Sequence, residues 1–202
     1  MKTPNPSRRS EQSRRAILNA ALDLVAEVGY AKLTVEAIAA RAGVGKQTIY
    51  RWWPSKGAVL VDAVLALSED EEGAIALPDT GDIRADLRGV LRAIVDEYND
   101  PKIDTITRAL AVESLTDPTL NTQITGRVLG PLLEVTKDRL RAGQRAGQVA
   151  EGVDLGVAVE LLYAPIYHRW VLRTNPLTHE YADTVLELAL KALSPATINT
   201  VE

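Results

Sequence analysis

The stretch GVGKQTIYRWWPSK, residues 43–56, places many hydrogen-bond donors beside two adjacent tryptophans. An ammonium group such as that of Lys46 bonds phosphate or guanine, and a glutamine amide such as that of Gln47 pairs with an adenine edge. The Thr48 hydroxyl can bond phosphate, and its methyl group can touch thymine. Phosphates are also within reach of the donors of Tyr50, Arg51 and Lys56. The stretch therefore predicts contact with DNA.

The charge of the chain is divided unevenly along its length. Residues 1–57 hold ten basic and four acidic residues, a net charge of +6, whereas residues 58–202 hold 13 basic and 23 acidic residues, a net charge of −10. The overall charge of −4 hides this division. A small basic module that meets a polyanion, joined to an acidic body that does not, is the interpretation that we favour over chance clustering of surface charge.

The elements around the donor-rich stretch have the spacing of helices. From about Ser10 to Val28, apolar residues recur every three or four positions, as on one stripe of an amphipathic helix. Thr34 can cap a short second helix, which the glycines of residues 43–45 separate from a third helix at about 46–52. This order predicts a helix-turn-helix, a motif whose second helix enters the DNA major groove. The pattern alone has low specificity, because glycine-turned helix pairs occur in many proteins that never touch DNA.

Helical patterns also cover the rest of the chain. Further helices are predicted at about residues 55–67, 83–98, 104–115, 117–147, 153–173 and 178–193, with a kink at Gly130-Pro131. No alternating strand pattern bounded by hairpin turns is present, so an all-α fold of about nine helices is expected. Residues 1–8 and 195–202 are expected to be mobile.

The segment TVEAIAARAGVGKQTIYRWWPSKGAVL, residues 34–60, resembles the TetR family of bacterial transcription regulators. The resemblance extends over about residues 10–60. It is carried by the ordered motifs Gly29-Tyr30, Thr34-Val35, Ile38-Ala39, Ala42-Gly43-Val44, Thr48-Ile49-Tyr50 and Trp53-Pro54-Ser55-Lys56. The chain departs from the family pattern at three positions, since serine often stands in place of Gly45, phenylalanine in place of Trp53, and tyrosine or histidine in place of Trp52.

The resemblance implies an N-terminal three-helix DNA-binding domain, residues 1–57, and a larger helical ligand-binding and dimerisation domain, residues 58–202. It implies phosphate contacts from Thr34, Tyr50 and Lys56, and base-edge contacts from Lys46 and Gln47. The full set of predicted DNA-contacting residues is Thr34, Gly45, Lys46, Gln47, Thr48, Tyr50, Arg51, Trp52 and Lys56. Three alternatives stay open: Thr34 as a helix cap, Lys56 as a solvated lysine, and Tyr50 with its ring packed under the helix and only its hydroxyl at DNA.

The two tryptophans have different predicted roles, because adjacent helical residues point about 100° apart. Trp53 takes the place of the family's buried aromatic residue, so the resemblance implies that it is buried against the first helix, among Val44, Ile49, Ile38 and Leu24. Trp52 is expected at the groove edge, where its ring could pack on sugar or a thymine methyl. The basic residues before the first helix could follow the minor groove as an arm, but a soluble tail is favoured for Lys2, Arg8 and Arg9.

The family resemblance implies that the acidic body binds a small molecule and dimerises. Two recognition helices about one DNA turn apart would read a palindrome. The predicted dimer residues, for which intramolecular core is the alternative, are Leu155, Val159, Leu162, Ile166, Val185, Leu188 and Ala192. The predicted effector contacts, for which core or interface is the alternative, are Glu113, Arg127, Tyr163, Tyr167, His168 and Trp170. The acidic balance of the body favours a neutral or cationic effector.

Other classes of protein fit the sequence less well. The chain has no cysteine and no GxGxxG, P-loop, GxSxG or HExxH pattern, so catalysis, a cofactor and a metal site are not expected. A helical adaptor that binds proteins is the remaining alternative, and the clustered positive charge argues against it. No apolar run of about 18 residues and no apolar signal core are present, so no membrane span and a cytoplasmic location are expected. The predicted function is a repressor that binds a palindromic operator as a dimer and is released by a small-molecule effector.

Overall fold

The structure is a computed structural model that describes residues 6–69 and 77–195. Within these residues every regular element is helical, which confirms the predicted all-α fold. The α-helices are α1 (Pro6–Val28), α2 (Val35–Ala42), α3 (Lys46–Tyr50), α4 (Lys56–Glu69), α5 (Ile83–Asn99), α6 (Pro101–Ser114), α7 (Pro118–Gln123), α8 (Gly130–Arg145), α9 (Leu155–Leu172) and α10 (His179–Leu193). A 3₁₀ turn lies at Tyr30–Lys32, and a π-helical turn lies at Ile124–Leu129.

Two of the predicted helices differ from the observed ones. The helix predicted at 117–147 contains an irregular turn, because the π-helical turn Ile124–Leu129 joins α7 to α8 just before the predicted kink at Gly130-Pro131. At the amino terminus α1 begins at Pro6 rather than near Ser10, so residues 6–8 are helical and not part of a mobile tail. Lys2 and residues 196–202 lie outside the described residues.

The described residues form two compact units, one of residues 6–69 with 105–128 and the other of residues 77–104 with 129–195. The first unit therefore takes in a segment that comes late in the chain. The domain boundary predicted at residue 57 stays a prediction.

The core of the first unit is built around α1, which packs against α2 and α4. Ile17, Ala21 and Val25 of α1 lie on the buried stripe that the sequence pattern indicates. The late segment joins the same core through Ile106, Leu110 and Leu120. The 105–128 segment is consequently held to the helix-turn-helix part by apolar burial and not only by the chain.

The turn between α2 and α3 depends on one glycine more than on the other. Gly43 ends α2 with φ 66° and ψ 33°, the left-handed conformation, and its N–H bonds the last carbonyls of that helix. Gly45 starts α3 with φ −74° and ψ 144°, an ordinary extended conformation, and a Cβ there would meet nothing within 4 Å. Only position 43 therefore requires glycine.

The second unit has its own core, formed by α5, α8, α9 and α10. Beside this core an ion-pair ladder joins α5 to α10. Arg84, Arg88 and Arg92 stand one turn apart on α5, and they pair with Glu187 and Asp183 of α10. The ladder lies at the surface, so it fixes the register of the two helices more than it adds stability.

A buried ion pair ties α5 to α8 within the second unit. Arg139 Nε donates to Asp86 Oδ2 at 2.8 Å, and the Thr80 hydroxyl and backbone N–H donate to the same carboxylate at 2.7 and 3.1 Å. Burial acts to raise the pKa of Asp86, but the hydrogen bonds from Thr80 and Arg139 outweigh it and hold that pKa below its usual value. Asp86 is therefore a charged group at neutral pH.

We expect the two turn glycines to respond differently to alanine. Gly43→Ala forces a Cβ into the left-handed region and should lower the free energy of unfolding by about 1–2 kcal/mol. Gly45→Ala has an allowed backbone and open space but replaces the N-cap glycine of α3, so it should lower the free energy of unfolding by less, at most about 1 kcal/mol. Urea unfolding of both variants measures the difference, and an equal loss in the two would contradict the turn geometry.

The Asp86–Arg139 pair should make the free energy of unfolding depend on pH. Asp86→Asn leaves the buried Arg139 charge uncompensated and should lower the free energy of unfolding by roughly 3 kcal/mol at pH 7. Because the folded pKa of Asp86 lies below the unfolded value of about 3.9, its contribution is present above that pH and is lost as pH falls through the folded pKa.

Urea unfolding of wild type and variant from pH 7 down to pH 3 measures this effect, and the gap between them should narrow at the acid end. Asp79→Asn is the matched control, since the Asp79 carboxylate lies 3.6 Å from Arg139 Nε but is exposed. A loss at pH 7 as large for Asp79→Asn as for Asp86→Asn would argue against the buried pair.

Candidate nucleic-acid interface

The short helix α3 has one buried side and one exposed side. Ile49 is fully buried in the core of the first unit, and Val44 of the preceding turn packs against the same core. Gln47 precedes Ile49 by two residues, about 200° of helical rotation, so it points away from the core. The side chains of Lys46, Gln47, Tyr50 and Arg51 are exposed, and Thr48 is half-buried. The structure thus brings the predicted base-reading donors to one accessible surface.

Thr34, which precedes α2, and Glu36, which lies in its first turn, make weak local contacts beside this surface. The Thr34 hydroxyl accepts a hydrogen bond from Ala37 N at 3.1 Å, which makes it the N-cap of α2. Its own O–H proton is left for another acceptor. The Lys46 ammonium lies 3.5 Å from Glu36, and both side chains are about 60 % exposed, at 59 % and 63 %. Such an exposed pair contributes little, so a phosphate could replace the carboxylate.

Lys56 contacts Tyr30, a residue to which no role was assigned from the sequence. Lys56 Nζ donates to the Tyr30 carbonyl at 2.9 Å and lies 4.3 Å from the centre of the Tyr30 ring. Burial is the main cause that raises the pKa of Tyr30 to about 12, and the carboxylates of Glu113 and Asp117 raise it further. The hydrogen bond and the ring contact give the side chain of Lys56 a fixed position, and its ammonium has further N–H donors to offer.

The tryptophan pair divides between core and surface. Trp53 is buried in the core of the first unit, together with Ile38, Ile49 and Leu24, which confirms the predicted burial. Trp52 stands edge-on to Trp53, with ring centres 5.3 Å apart and planes at 89°. Its ring is half-buried and packs against the same core, more enclosed than a residue that only faces a groove.

The outer side of Trp52 carries positive charge. The Arg51 guanidinium lies 5.2 Å from the centre of the Trp52 ring, a cation–π contact. A shallow depression beside this pair is lined from α1 by Ser10, Glu11 and Arg14. Arg51 is thus the outward-facing group at this end of α3.

A second residue missed by the sequence analysis, Asp62, holds Trp53 in place. The Trp53 indole N–H donates to Asp62 Oδ2 at 2.7 Å. Asp62 is the single charged residue in the otherwise apolar run GAVLVDAVLAL of residues 57–67. A lone charge on a helix that is mostly buried needs a polar partner, and this was the signal available in the sequence.

The predicted effector contacts are distributed over both units. Glu113 and Arg127 belong to the first unit, and Arg127 pairs with Asp62 at 2.6 Å. The other four lie on α9 of the second unit, where Tyr163 and Trp170 point inward whereas Tyr167 and His168 are exposed. Their role as effector contacts stays a prediction.

Two inward-pointing groups of the second unit make specific polar bonds. The Tyr163 hydroxyl lies 2.7 Å from the Thr136 hydroxyl, and burial raises the pKa of Tyr163. Trp170 stacks on Tyr98 with ring centres 4.3 Å apart, and its indole N–H donates to Asp104 at 2.6 Å. Polar groups therefore reach into an apolar interior at these points.

The predicted dimer residues fall into two groups. Val159, Leu162 and Ile166 lie in the core of the second unit and Leu155 packs against it, which is the alternative that the sequence left open, and Val185 is buried as well. Leu188 and Ala192 are exposed on α10. The exposed apolar stripe of α9 lies instead on the opposite face of the helix from the predicted one and consists of Val157, Leu161 and Ala164.

Among residues 6–69 and 77–195, no cluster of three or more histidine or acidic side chains is placed to hold a metal ion. No helix in the same part of the chain combines the length and apolar character that crossing a membrane requires.

Two sequence families match the chain, one on each part. Residues 17–63 match the family described as bacterial regulatory proteins, tetR family, and residues 77–189 match the family described as tetracyclin repressor-like, C-terminal domain. The second match alone covers more than half of the chain. The first match supports the resemblance seen at about residues 10–60, and the second extends the family relation to most of the remaining chain.

Individual relatives agree with the family matches over nearly the whole chain. An uncharacterised helix-turn-helix transcriptional regulator of Bacillus subtilis, YdeS, is 31 % identical over 92 % of this chain and 91 % of its own length. The crystal structure of the TetR family transcription regulator SCO0332 is 33 % identical, with a TM-score of 0.73 over 91 % of this chain and all of that one.

A more distant structure shares the fold alone. The transcriptional regulator FadR of Bacillus subtilis, crystallised in complex with stearoyl-CoA, is 23 % identical and has a TM-score of 0.65 over 87 % of this chain and 96 % of that one. With the exposed donors of α3, the buried Trp53 and the matches on both parts of the chain, the protein belongs to the TetR family of bacterial regulatory proteins and is a helix-turn-helix transcriptional regulator.

Proposed function

We propose that the protein is a cytoplasmic repressor that binds a palindromic operator as a homodimer and is released by a small-molecule effector. The observation that carries the proposal is the exposed donor surface of α3, which lies opposite the buried Ile49. In this proposal Lys46 and Gln47 read base edges from the major groove. Thr34, Thr48, Tyr50, Arg51 and Lys56 bond phosphates, with Gly45 allowing close approach of the backbone and Trp52 packing on sugar.

Dimerisation follows from the small size of the reading surface. A helix of five residues offers few base contacts, so one copy alone would discriminate weakly between sequences. Two copies would read both halves of a palindrome and add their binding energies. The exposed apolar stripe of α9 (Val157, Leu161, Ala164) and the exposed Leu188 and Ala192 of α10 support a partner surface in the second unit.

Effector binding is proposed for the interior of the second unit. Tyr163 and Trp170 bring polar atoms into an apolar core, the combination that drug-sized ligands need. The match to a tetracyclin repressor-like C-terminal domain supports the proposal, as does the ligand-bound state of the distant FadR. Because DNA and effector would favour different conformers, each would lower the affinity for the other by the same factor. The corresponding coupling free energy is typically about 1–3 kcal/mol.

The base-edge role of Gln47 is tested with duplexes enriched from a random library by the wild-type protein. We expect wild-type affinity to fall steeply with salt, and Gln47→Ala to relax base preference at one position per half-site by about 1–3 kcal/mol. The measurement is a second enrichment with the variant, together with titration of a labelled wild-type duplex at several salt concentrations.

Asn19→Ala is the control, since it removes an exposed amide of the first unit outside α3 and should leave the base preference unchanged. Uniform weakening on every sequence by Gln47→Ala would count against the base contact. Affinity that ignored both sequence and salt would remove the DNA-reading proposal altogether.

The dimer surface is tested by placing charge on the exposed apolar positions of the second unit. Leu161→Glu and Leu188→Glu should produce a monomer at micromolar concentration, because a carboxylate buried between copies has no partner. Sedimentation equilibrium measures the molecular mass. Val112→Glu is the matched control, since Val112 is 59 % exposed in the first unit, close to the 65 % of Leu188. A wild-type chain that sediments as a monomer would refute the proposed dimer.

A further inference from the structure

The Asp62 carboxylate of α4 is shared by two donors from different parts of the first unit. Its Oδ2 accepts from the Trp53 indole at 2.7 Å, and its Oδ1 accepts from Arg127 Nη2 at 2.6 Å. The Asp62 side chain is only 18 % exposed. With one donor on each oxygen, the carboxylate plane has a single favoured orientation.

Trp53 connects this carboxylate to the DNA-reading helix. The backbone N–H groups of Trp52 and Trp53 both bond the Ile49 carbonyl at 2.9 Å, so the tryptophan pair continues the last turn of α3. The two rings touch edge to face, and Trp52 in turn carries the Arg51 guanidinium. A rotation of the Trp53 ring would therefore displace the outward-facing end of α3.

Arg127 brings a distant part of the chain to the same point. It lies in the π-helical turn Ile124–Leu129, 65 residues beyond Asp62. Turns of this type interrupt the regular ladder of helix hydrogen bonds and often occur at functional positions. Arg127 is therefore a residue whose position depends on the 105–128 segment and not on the helix-turn-helix itself.

We propose that Asp62 and Arg127 are positioning residues of the DNA-reading surface. Arg127 holds the Asp62 carboxylate in the orientation that receives the Trp53 indole, and the indole fixes the end of α3 against the core. The inference depends on the proposed DNA contacts of α3 and adds to them two residues that touch no DNA themselves. It gives Arg127 a role other than the effector contact predicted from the sequence.

The second unit contains a bridge of the same chemistry that can serve as a control. Trp170 donates its indole N–H to Asp104 Oδ1 at 2.6 Å, and Arg173 Nη2 lies 3.3 Å from Asp104 Oδ2. Both arginines are at least half exposed, with side-chain exposures of 50 % for Arg127 and 69 % for Arg173. Removal of Arg173 thus changes an equivalent indole–carboxylate–guanidinium bridge away from α3.

The experiment compares Arg127→Met, Arg127→Lys and Arg173→Met with wild type on a labelled duplex enriched by the wild-type protein. Arg127→Met should weaken binding about two- to five-fold, the range that corresponds to loss of one partly exposed ion pair. Arg127→Lys should recover part of this loss, because the ammonium can still pair with Asp62. Arg173→Met should bind as wild type does.

A second readout follows the indole directly and needs no DNA. The three tryptophan indole N–H signals of ¹⁵N-labelled protein are assigned with single Trp→Phe variants. Arg127→Met should shift the Trp53 signal and leave that of Trp170 unchanged, and Arg173→Met should do the reverse. A purely structural role for Arg127 would lower the melting temperature without moving the Trp53 signal or the affinity at a temperature well below melting.

Several outcomes would overturn the proposal: wild-type affinity in Arg127→Met, an equal loss in Arg173→Met, or an unchanged Trp53 signal. If Arg127→Met does not fold, Asp62→Asn replaces it, since asparagine keeps an oxygen for the indole but loses the charge that pairs with Arg127. If the wild-type protein fails to bind any duplex, the proposed DNA contacts fail, and the indole signals alone decide whether Arg127 positions Trp53.

Discussion

The DNA-reading surface depends on the burial of two side chains, Ile49 and Trp53. A helix of five residues is far below the roughly 12–15 residues at which isolated helices become marginally stable in water, so α3 cannot keep its shape alone. Its conformation is imposed from outside, by an isoleucine and a tryptophan that lie in the core of the first unit. Because these two anchors fix the rotation of the helix, Gln47 and its exposed neighbours have only one direction in which to point.

Contacts between nearby residues were predictable from the sequence, because they follow from local periodicity and turn chemistry. Gly43 was assigned to the turn from the local pattern and Trp53 to the core from the family resemblance, and the structure agrees with both. The bonds from Asp62 to Arg127 and from Asp86 to Arg139 were not predictable, since each joins segments more than 50 residues apart whose packing no local pattern specifies. Periodicity also groups residues on a face without saying what covers it, which is why both a dimer surface and an intramolecular core stayed open for Val159, Leu162 and Ile166, which lie in the core of the second unit.

The division of charge between the two parts of the sequence is expressed in the structure as a difference in how the charges are paired. In the acidic second unit, the three arginines of the ladder on α5 are all paired with two carboxylates of α10. In the basic first unit, Arg41 is likewise neutralised by a two-point pair with Glu27, so not all of its positive charge is available to DNA. The donors at α3 are different, since Lys46 pairs only with the exposed carboxylate of Glu36 at 3.5 Å and Arg51 lies over the Trp52 ring.

This difference in pairing matters because a charge that is already satisfied gains little from a phosphate. Lys46 can exchange Glu36 for DNA at small cost, since an exposed ion pair contributes at most about 1 kcal/mol. Lys56 and Thr34 use part of their bonding capacity within the protein, Lys56 on the Tyr30 carbonyl and Thr34 on the start of α2. Each retains N–H or O–H donors in a fixed place, so little conformational entropy remains to be lost when DNA binds. Internal bonds that hold a side chain without exhausting its donors are thus what convert a basic helical segment into a preorganised reading surface.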